Sequence, residues 1–254
     1  MVASVKPWLE YGLEVGCERC SWQGQQRSAL LVCFARPYDA LSWALWRGGF
    51  QCEVRAFVCC QVRNADLAPG TDPEKLFQQR LAALSPRVDG ARSVGMMTSA
   101  EVSGFCWGSA SEGRTSAWVV TTVGLANALR VGEGEGSSEL SGVRPGLGTI
   151  NIACWVNVPL SANAQLESLS IAAQARTLEM LEARVPCSAG RGWASGTGTD
   201  CVAVFGPTAS SVDAAGERYA GMHTSLGRVI GRATRQAVSR GIAAWRARCV
   251  GQHV

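Results

Sequence analysis

The segment at residues 194–200 combines glycines, hydroxyls and a carboxylate at a spacing that could support hydrolytic chemistry. Its sequence is Ala-Ser-Gly-Thr-Gly-Thr-Asp, and apolar residues follow it. Gly196 and Gly198 let the backbone bend closely around a ligand. The side chains that could act as nucleophile, oxyanion donor or proton acceptor are Thr197, Thr199 and Asp200. The alternative is a tight turn whose threonine and aspartate side chains bond to local backbone groups.

Neither this segment nor the later one at residues 221–228 predicts a phosphate-binding loop. Such loops follow a strand and open a helix, whose free N–H groups and dipole face the anion. Residues 194–200 lead into a predicted strand instead. Residues 221–228 read Gly-Met-His-Thr-Ser-Leu-Gly-Arg, with the glycines one residue too far apart and Arg228 in place of the lysine. The sequence therefore argues against an NTPase.

His223 is the candidate acid–base residue because it directly precedes a strong helical pattern. The positive end of a helix dipole favours neutral imidazole, which can accept a proton or polarise a carbonyl. A histidine that caps the helix or packs locally is the alternative. Asp200 and His223 both lie in glycine-flanked turns, so we expect them to come within reach of each other or of one shared water. His253 lies in the terminal tail, where no role is expected.

Two asparagines and several tryptophans are further candidates for ligand binding. Asn127 follows a predicted strand and Asn151 lies within one. Such amides are usually structural, but beside a pocket they can hold a substrate amide or an oxyanion. Flat indoles suit a flat macrocycle, although ordinary packing is the alternative for each of them. The tryptophans near glycine-rich segments are Trp43, Trp46, Trp107 and Trp193.

Cysteine and histidine usage argues against a metal site. The 11 cysteines are an odd number without a repeating framework, which favours reduced and mostly buried thiols over a disulfide scaffold. Cys17 and Cys20 form a lone Cys-x-x-Cys, whereas a structural zinc site needs a second pair of soft ligands, and the chain has 2 histidines. We therefore expect no metal or cofactor held by the protein.

Composition places the chain among globular proteins. Of its 254 residues, 47% are apolar and 17% are charged, which excludes a disordered chain. The net charge of +4 permits an anionic ligand but does not indicate nucleic acid. The best apolar run, residues 29–35, is too short to span a bilayer, and Pro7 comes before any signal-like segment begins. We expect a cytoplasmic protein without membrane insertion; nothing in the sequence sets its oligomeric state.

Hydrophobic periodicity and capping residues predict the elements that must position these groups. Strands are predicted at residues 27–34, 51–60, 117–123, 149–156 and 202–205. Helices are predicted at residues 73–84 after a cap at Asp72, at residues 161–184 with a cap at Ser161, and at residues 224–248. The glycine-rich residues 132–148 predict a mobile surface loop that could close over a substrate.

The irregular order of strands and helices favours an α+β fold over a doubly wound sheet. We expect one domain at residues 25–250, with a mostly antiparallel or mixed sheet, packed helices and a long C-terminal helix. Residues 1–24 show no clear period and are predicted to form an N-terminal extension. The side of the central helix that is expected to face the core carries Leu166, Leu169, Ala173, Thr177, Met180 and Leu181.

These pieces, in this order, resemble the adenosylcobinamide amidohydrolase family over roughly residues 25–245. The most specific match is Gly-Thr-Gly-Thr-Asp at residues 196–200, followed by Tyr-Ala-Gly-Met-His-Thr at residues 219–224 and Leu-Gly directly downstream. Upstream matches are Gly-Thr-Ile-Asn-Ile, Gly-Leu-Ala-Asn-Ala, Met-Met-Thr-Ser-Ala and the serine- and glycine-rich segment that begins Leu-Ser-Trp-Ala. No single motif is specific to the family, but the ordered set is.

The resemblance implies hydrolysis of the amide between a propionyl side chain of the corrin ring and its aminopropanol arm. The product would be adenosylcobyric acid for cobamide salvage, and the cobalt would belong to the corrinoid substrate. In this interpretation Asp200 and His223 handle the proton, and Thr197 or Thr199 is the nucleophile or an oxyanion donor. The residues expected to bind the corrinoid are Ser42, Thr98, Asn127, Asn151, Gly196 and Gly198.

The chain departs from the family pattern at three positions. An acidic residue expected in the central helix is Gln174, and serines expected beside Ser42 and Asn127 are Trp43 and Ala126. If the missing carboxylate is catalytic, the chain would be a slow enzyme or a non-catalytic corrinoid carrier; if it anchors a helix, little is lost. A third alternative, an unrelated threonine-nucleophile hydrolase, predicts an internal chain break that exposes a threonine amine.

Overall fold

A long strand, β2 (Gln25–Ser42), joins the two halves of one eight-stranded sheet. Strand β1 (Leu13–Trp22) pairs antiparallel with its first part. Its second part pairs antiparallel with β10 (Cys201–Pro207), where Ser42 lies opposite Ala203. The computed structural model describes residues 7–22, 25–84, 88–133, 148–188, 192–212 and 216–250.

The remaining strands extend the sheet on both sides of β2. They are β3 (Gly49–Gln61), β4 (Ser93–Thr98), β5 (Cys106–Glu112), β6 (Thr115–Val123) and β8 (Ile150–Val156). The order across the sheet is β4-β3-β2-β10-β8-β6-β5, with β1 beside β2. The β3–β4 and β8–β10 pairs are parallel and the other pairs are antiparallel. A short second sheet pairs β7 (Ala128–Leu129) with β9 (Gly196–Thr197).

Alternate side chains of β10 enter two different cores, which explains the uninterrupted apolar sequence of this strand. Val202 and Val204 belong to a core of aliphatic residues, whereas Ala203 and Phe205 belong to one rich in aromatic rings. In the aromatic core, the ring of Phe205 stacks on that of Trp155 of β8, with the centroids 4.8 Å apart. The centre of the sheet is therefore buried on both faces.

Three α-helices among the described residues cover this sheet. Helices α2 (Ala162–Glu182) and α3 (Ser225–Val250) pack on each other and enclose the aliphatic core against β5, β6, β8 and β10. Helix α1 (Pro73–Ala83) buries Phe77 and Leu81 in a third core with residues of β2 and β3. The mixed sheet with packed helices and the long C-terminal helix confirm the predicted α+β class.

The helix caps form as predicted. The carboxylate of Asp72 accepts hydrogen bonds from the backbone N–H groups of Glu74 and Lys75, at 3.0 and 3.2 Å. The hydroxyl of Ser161 accepts one from the N–H of Ala164, at 3.1 Å. Each cap satisfies N–H groups that have no partner within the first helical turn.

The predicted inner side of α2 is partly wrong. Leu166 and Leu181 are 61% and 38% exposed, although Leu169 and Met180 are buried as expected. Small side chains occupy much of the buried side of α2. They allow α2 to pack closely against both α3 and the sheet. The small buried residues of α2 are Ala164, Ser168, Ala172 and Ala175.

The predicted N-terminal extension contributes a strand to the sheet. Leu13 of β1 is buried, and Val15 packs partly against the aromatic core. Leu13, Val15 and Cys17 alternate with Glu14, Gly16 and Glu18, a strand period that the sequence prediction overlooked. The predicted mobile loop at residues 132–148 lies almost wholly outside the described residues. None of the described helices is long and apolar enough to cross a membrane.

Candidate active site

Asp200 fixes the Gly-Thr-Gly-Thr-Asp turn to the start of β8. Its Oδ1 accepts hydrogen bonds from the N–H of Ile150, at 2.9 Å, and from the hydroxyl of Thr197. Its Oδ2 accepts from the N–H of Thr197, at 3.0 Å, and from the guanidinium of Arg176, at 2.5 Å. The Asp200 side chain is 6% exposed. Because both oxygens already accept two hydrogen bonds each, Asp200 holds the turn in place and has little capacity left for a substrate.

Arg176 reaches this turn from α2. Its side chain is 16% exposed, so the ion pair with Asp200 is largely removed from water. The same guanidinium lies 3.4 Å from the hydroxyl of Thr177, which in turn donates to the carbonyl of Ser195 at 3.1 Å. The middle of α2 is thus attached to both ends of the turn.

The two glycines of the turn have different surroundings. A Cβ at Gly196 would lie 2.6 Å from Oδ2 of Asp200 and 3.2 Å from Cζ of Arg176, so the ion pair needs glycine at this position. A Cβ at Gly198 would lie 3.4 Å from Leu129, which is ordinary van der Waals contact. The sequence predicts that both glycines let the backbone bend around a ligand; the structure shows that Gly196 instead makes room for the Asp200–Arg176 ion pair.

A cavity of about 330 Å³ opens beside the turn. It draws residues from five separate segments of the chain, including the β2–β3 connection and the starts of α1, β8 and β10. None of the described residues that line it carries a charge. The lining residues are Trp43, Leu45, Val62, Leu67, Pro73, Met97, Thr98, Ser99, Thr149, Thr199 and Cys201.

Thr199 and Thr149 place a pair of hydroxyls on the wall of this cavity. Their Oγ1 atoms are 2.7 Å apart, and the hydroxyl of Thr199 also lies 3.3 Å from the carbonyl oxygen of Gly148. Either hydroxyl can donate to the other. When Thr199 donates to the Gly148 carbonyl, its oxygen accepts from Thr149; when Thr199 donates to Thr149 instead, the pair can relay the Thr199 proton.

Cys201 and Cys59 near the cavity remain thiols at neutral pH. Burial, and then the nearby charge of Asp200, raises the pKa of Cys201 to about 11. Burial raises the pKa of Cys59 to about 12. Because the thiolate is the nucleophilic form of cysteine, neither side chain is suited to attack an amide.

Among the other predicted binding residues, one lines the cavity and two lie next to residues that line it or form the turn. Thr98 lines the cavity, and its Oγ1 accepts from the N–H of Ala100 at 3.1 Å. Ser42 is 5% exposed and does not line it, although its neighbour Trp43 does. Asn127 is half-buried beside the turn, where its side chain lies against Gly148 and Gly198.

Asn151 is a bridge within the protein. It is 2% exposed and lies outside the cavity lining. Its amide nitrogen donates to the carbonyl of Met97, at 2.8 Å, and to the sulfur of Cys59, at 3.5 Å. Since β8 and β4 belong to opposite halves of the sheet, this side chain ties the halves together where the cavity lies.

The prediction that His223 comes within reach of Asp200 is wrong. Asp200 accepts from the N–H of Ile150, which pairs with Val123 at the end of β6. Strand β10 then carries the chain along the sheet away from that end. The residues that follow β10 return beside the C-terminal end of β8, where the N–H of Glu217 donates to the carbonyl of Pro159 at 2.8 Å.

The contacts of the segment around His223 confirm this separation. The His223 carbonyl accepts from Arg228 at 2.7 Å, and Arg228 forms an ion pair with Glu112. Glu112 pairs with Thr115, the first residue of β6, whereas Asp200 lies near its last residue. At about 3.3 Å per residue the two ends of this strand are roughly 26 Å apart. The exposed His223 therefore cannot share a proton with the turn.

Sequence reasoning missed Arg176 and Thr149 as parts of this site, whereas Trp43, one of the candidate tryptophans, does line the cavity. Arg176 lay two residues from Gln174, which drew attention as a departure from the family, and Thr149 directly precedes a strand. Neither position has a local signal for a cavity. No cluster of three or more His, Cys, Asp or Glu side chains suited to a metal occurs within the described part of the chain.

The sequence profile of the adenosylcobinamide amidohydrolase family matches residues 16–250. No curated protein sequence matches the chain. Among solved structures, a protein from Pyrococcus horikoshii OT3 is similar at 11% identity and a TM-score of 0.45, over 91% of this chain and 84% of that one. A beta-aminopeptidase from Burkholderia sp. is similar at 13% identity and a TM-score of 0.46, over 92% of this chain and 87% of that one. An L-aminopeptidase D-Ala-esterase/amidase from Ochrobactrum anthropi is similar at 11% identity and a TM-score of 0.41, over 92% of this chain and 83% of that one.

Proposed function

This chain belongs to the adenosylcobinamide amidohydrolase family, and we propose that it hydrolyses the amide between the corrin ring and the aminopropanol arm of adenosylcobinamide. It is a hydrolase acting on amides. The observation that carries the proposed substrate and site is the position of Thr199. This residue belongs to the motif that matches the family most specifically, and its hydroxyl lies on the wall of the cavity.

The dimensions and lining of the cavity suit the amide arm. Pockets for drug-sized ligands span about 300–1,000 Å³, and a corrin ring with its side chains is larger than such ligands. A cavity of about 330 Å³ therefore receives the arm, while the ring stays outside. The apolar lining residues suit the propyl carbons, and the threonine hydroxyls suit the amide and the alcohol. The cobalt belongs to the substrate, and the proposal includes no cofactor held by the protein.

In the proposed reaction, the hydroxyl oxygen of Thr199 attacks the amide carbon. The proton of that hydroxyl passes through Thr149 to the amide nitrogen as the carbon–nitrogen bond breaks, and aminopropanol leaves as a neutral amine. Water then hydrolyses the Thr199 ester, which releases adenosylcobyric acid and restores the hydroxyl. Asp200 and Arg176 act as positioning residues that keep the two hydroxyls together.

The position of Gln174 supports an active enzyme. Gln174 is exposed on α2 and donates to the hydroxyl of Ser170 at 2.8 Å. It lines a groove between α2 and α3 and does not belong to the cavity lining. With the amide in the proposed cavity, a carboxylate at position 174 would lie away from the reacting carbonyl. The product would feed cobamide salvage in the cytoplasm.

The test is to incubate the protein with adenosylcobinamide and to measure aminopropanol and adenosylcobyric acid by mass spectrometry. We expect both products in equal amounts, and their loss with Thr199→Ala, which excludes a contaminating hydrolase. Tight corrinoid binding without release of aminopropanol would show a carrier instead. Intact mass of the purified chain checks the remaining alternative, since a break that exposes a threonine amine would show an autoprocessed threonine-nucleophile hydrolase.

A further inference from the structure

Trp43 is a large exposed aromatic residue on the wall of the candidate active site. Its surface is 45% exposed, although it lines a cavity whose other walls are largely apolar. It stands directly after β2, next to the buried Ser42. An exposed indole beside a cavity suggests a ligand that is only partly inside the cavity.

The indole is held in position by the turn that carries Thr199. Its Nε1–H donates to the backbone carbonyl of Asp200 at 2.9 Å. Its backbone N–H donates to the carbonyl of Val202 at 3.3 Å, and its own carbonyl lies 3.6 Å from the sulfur of Cys201. The ring is therefore fixed at one edge while nearly half of the residue faces solvent. A fixed aromatic surface loses little conformational freedom when a ligand stacks on it.

The other tryptophans with suitable positions in the sequence do not share this arrangement. Trp46 stacks on Phe77 with ring centroids 5.9 Å apart, and Trp107 lies under the guanidinium of Arg240 at 5.1 Å. Trp193 is exposed to a similar extent, 43%, but does not line the cavity. Trp43 is thus distinguished from them by combining exposure with a place on the cavity wall.

We propose that Trp43 forms the subsite for the flat corrin ring, which stacks on the indole while the amide arm enters the cavity. This inference rests on the proposed function, because it takes adenosylcobinamide as the ligand. A flat conjugated macrocycle matches the flat face of an indole, and stacking adds to the free energy gained from apolar burial. Because the indole is hydrogen-bonded to the backbone carbonyl of Asp200, a corrin ring stacked on it lies at a fixed position relative to Thr199.

The test measures the dissociation constant of adenosylcobinamide by equilibrium dialysis in the Thr199→Ala background, in which the ligand is not consumed, with Trp43 intact and with Trp43→Ala, Trp43→Phe or Trp193→Ala. The values of KM and kcat come from the same tryptophan variants with Thr199 intact. We expect Trp43→Ala to weaken binding about tenfold or more and to raise KM with kcat changed less than about threefold. Trp43→Phe keeps a flat ring but loses the Nε1–H donor, so it should bind within about threefold of the wild type. Trp193→Ala removes an equally exposed indole outside the cavity and should bind like the wild type.

Three results would overturn the subsite: wild-type affinity in Trp43→Ala, equal weakening in Trp193→Ala, or a loss in Trp43→Phe as large as in Trp43→Ala. The last would assign the effect to the hydrogen bond with Asp200. Thermal melting of each variant excludes a folding defect. Hydrolysis that does not depend on Trp43 would refute the subsite but not the proposed function. Binding that depends on Trp43 without any hydrolysis would refute the proposed function but not the subsite. A wild type that binds no adenosylcobinamide would refute both.

Discussion

The guanidinium of Arg176 lies 2.5 Å from the carboxylate of Asp200 and thereby joins the middle of α2 to the turn that carries Thr199. The pair connects residues 24 positions apart in the sequence. It is largely buried, and Asp200 also accepts from Thr197 and from the N–H of Ile150. The geometry of the two hydroxyls in the cavity therefore depends on a residue in a different element.

Removing either partner of this ion pair should destabilise the fold. Breaking a largely buried pair leaves one charge uncompensated, and we expect Asp200→Asn and Arg176→Met each to lower the free energy of unfolding by about 3 kcal/mol. The double variant should lose less than the sum of the two, with a coupling of about 1–3 kcal/mol. Urea unfolding measures all three values. Additive losses would show that the pair does not act as a unit.

Removing the hydroxyl of Thr199 should abolish hydrolysis without unfolding the protein. We expect Thr199→Ala to lower kcat at least about 100-fold, because the attacking oxygen is lost, while Thr199→Ser keeps a hydroxyl and retains more of the rate. Thr234→Val is the matched control, since Thr234 is buried in α3 away from the cavity. Turnover measured as aminopropanol release checks the prediction. If Thr199→Ala kept a kcat close to that of the wild type, Thr199 would not be the nucleophile.

The two glycines of the turn should respond differently to alanine. At Gly196 the added Cβ would lie 2.6 Å from the Asp200 carboxylate, so Gly196→Ala should lower both the melting temperature and kcat. At Gly198 the nearest atom would be 3.4 Å away, so Gly198→Ala should cost less than about 1 kcal/mol. Melting curves and turnover of the two variants give the comparison. Equal effects would mean that the turn needs both glycines for backbone reasons.

His223 should be dispensable for hydrolysis. It is exposed and lies at the opposite end of the sheet strands from Asp200, so His223→Ala should keep at least about half of the wild-type kcat, whereas loss of a general acid or base costs about 10²–10⁴-fold. The same aminopropanol assay measures it. A hundredfold loss of kcat in His223→Ala would show that His223 takes part in catalysis.

Stability should fall on acidification because of a buried aspartate between β3 and α1. Burial acts to raise the pKa of Asp66, but hydrogen bonds from Arg27, from the Arg63 backbone and from Arg80 outweigh it and hold that pKa well below its usual value. A depressed pKa in the folded state stabilises the fold above the unfolded pKa of about 3.9. That contribution is lost as the pH falls from about 5 towards the lower, folded-state pKa.

Urea unfolding at pH 7 and pH 3 measures this dependence. Asp66→Asn should be destabilised at pH 7 and should lose less on acidification than the wild type, because it has no carboxylate to protonate. Asp72→Asn is the matched control, since Asp72 is 49% exposed and asparagine caps a helix equally well. If Asp66→Asn shows the full wild-type loss at pH 3, other carboxylates are responsible.

Local patterns in the sequence determined the three helices, five of the strands and the position of the key motif, but they did not predict β1, β4 and β5. The caps at Asp72 and Ser161 depend on residues three or fewer positions away, and the buried side of α3 follows from helical spacing. The family motif likewise lies within residues 196–200, so it could be recognised without a structure. Such features need no knowledge of which strands are neighbours.

The tertiary structure decided which of these residues share a site. His223 is 23 residues beyond Asp200, and β10 takes up enough of that interval to carry the chain to the other end of the sheet. Arg176 reaches Asp200 because α2 packs beside β9 and β10. The strand order and the approach of α2 depend on burying two sheet faces at once. That requirement couples residues far apart in the sequence and therefore leaves no periodic signal near any one of them.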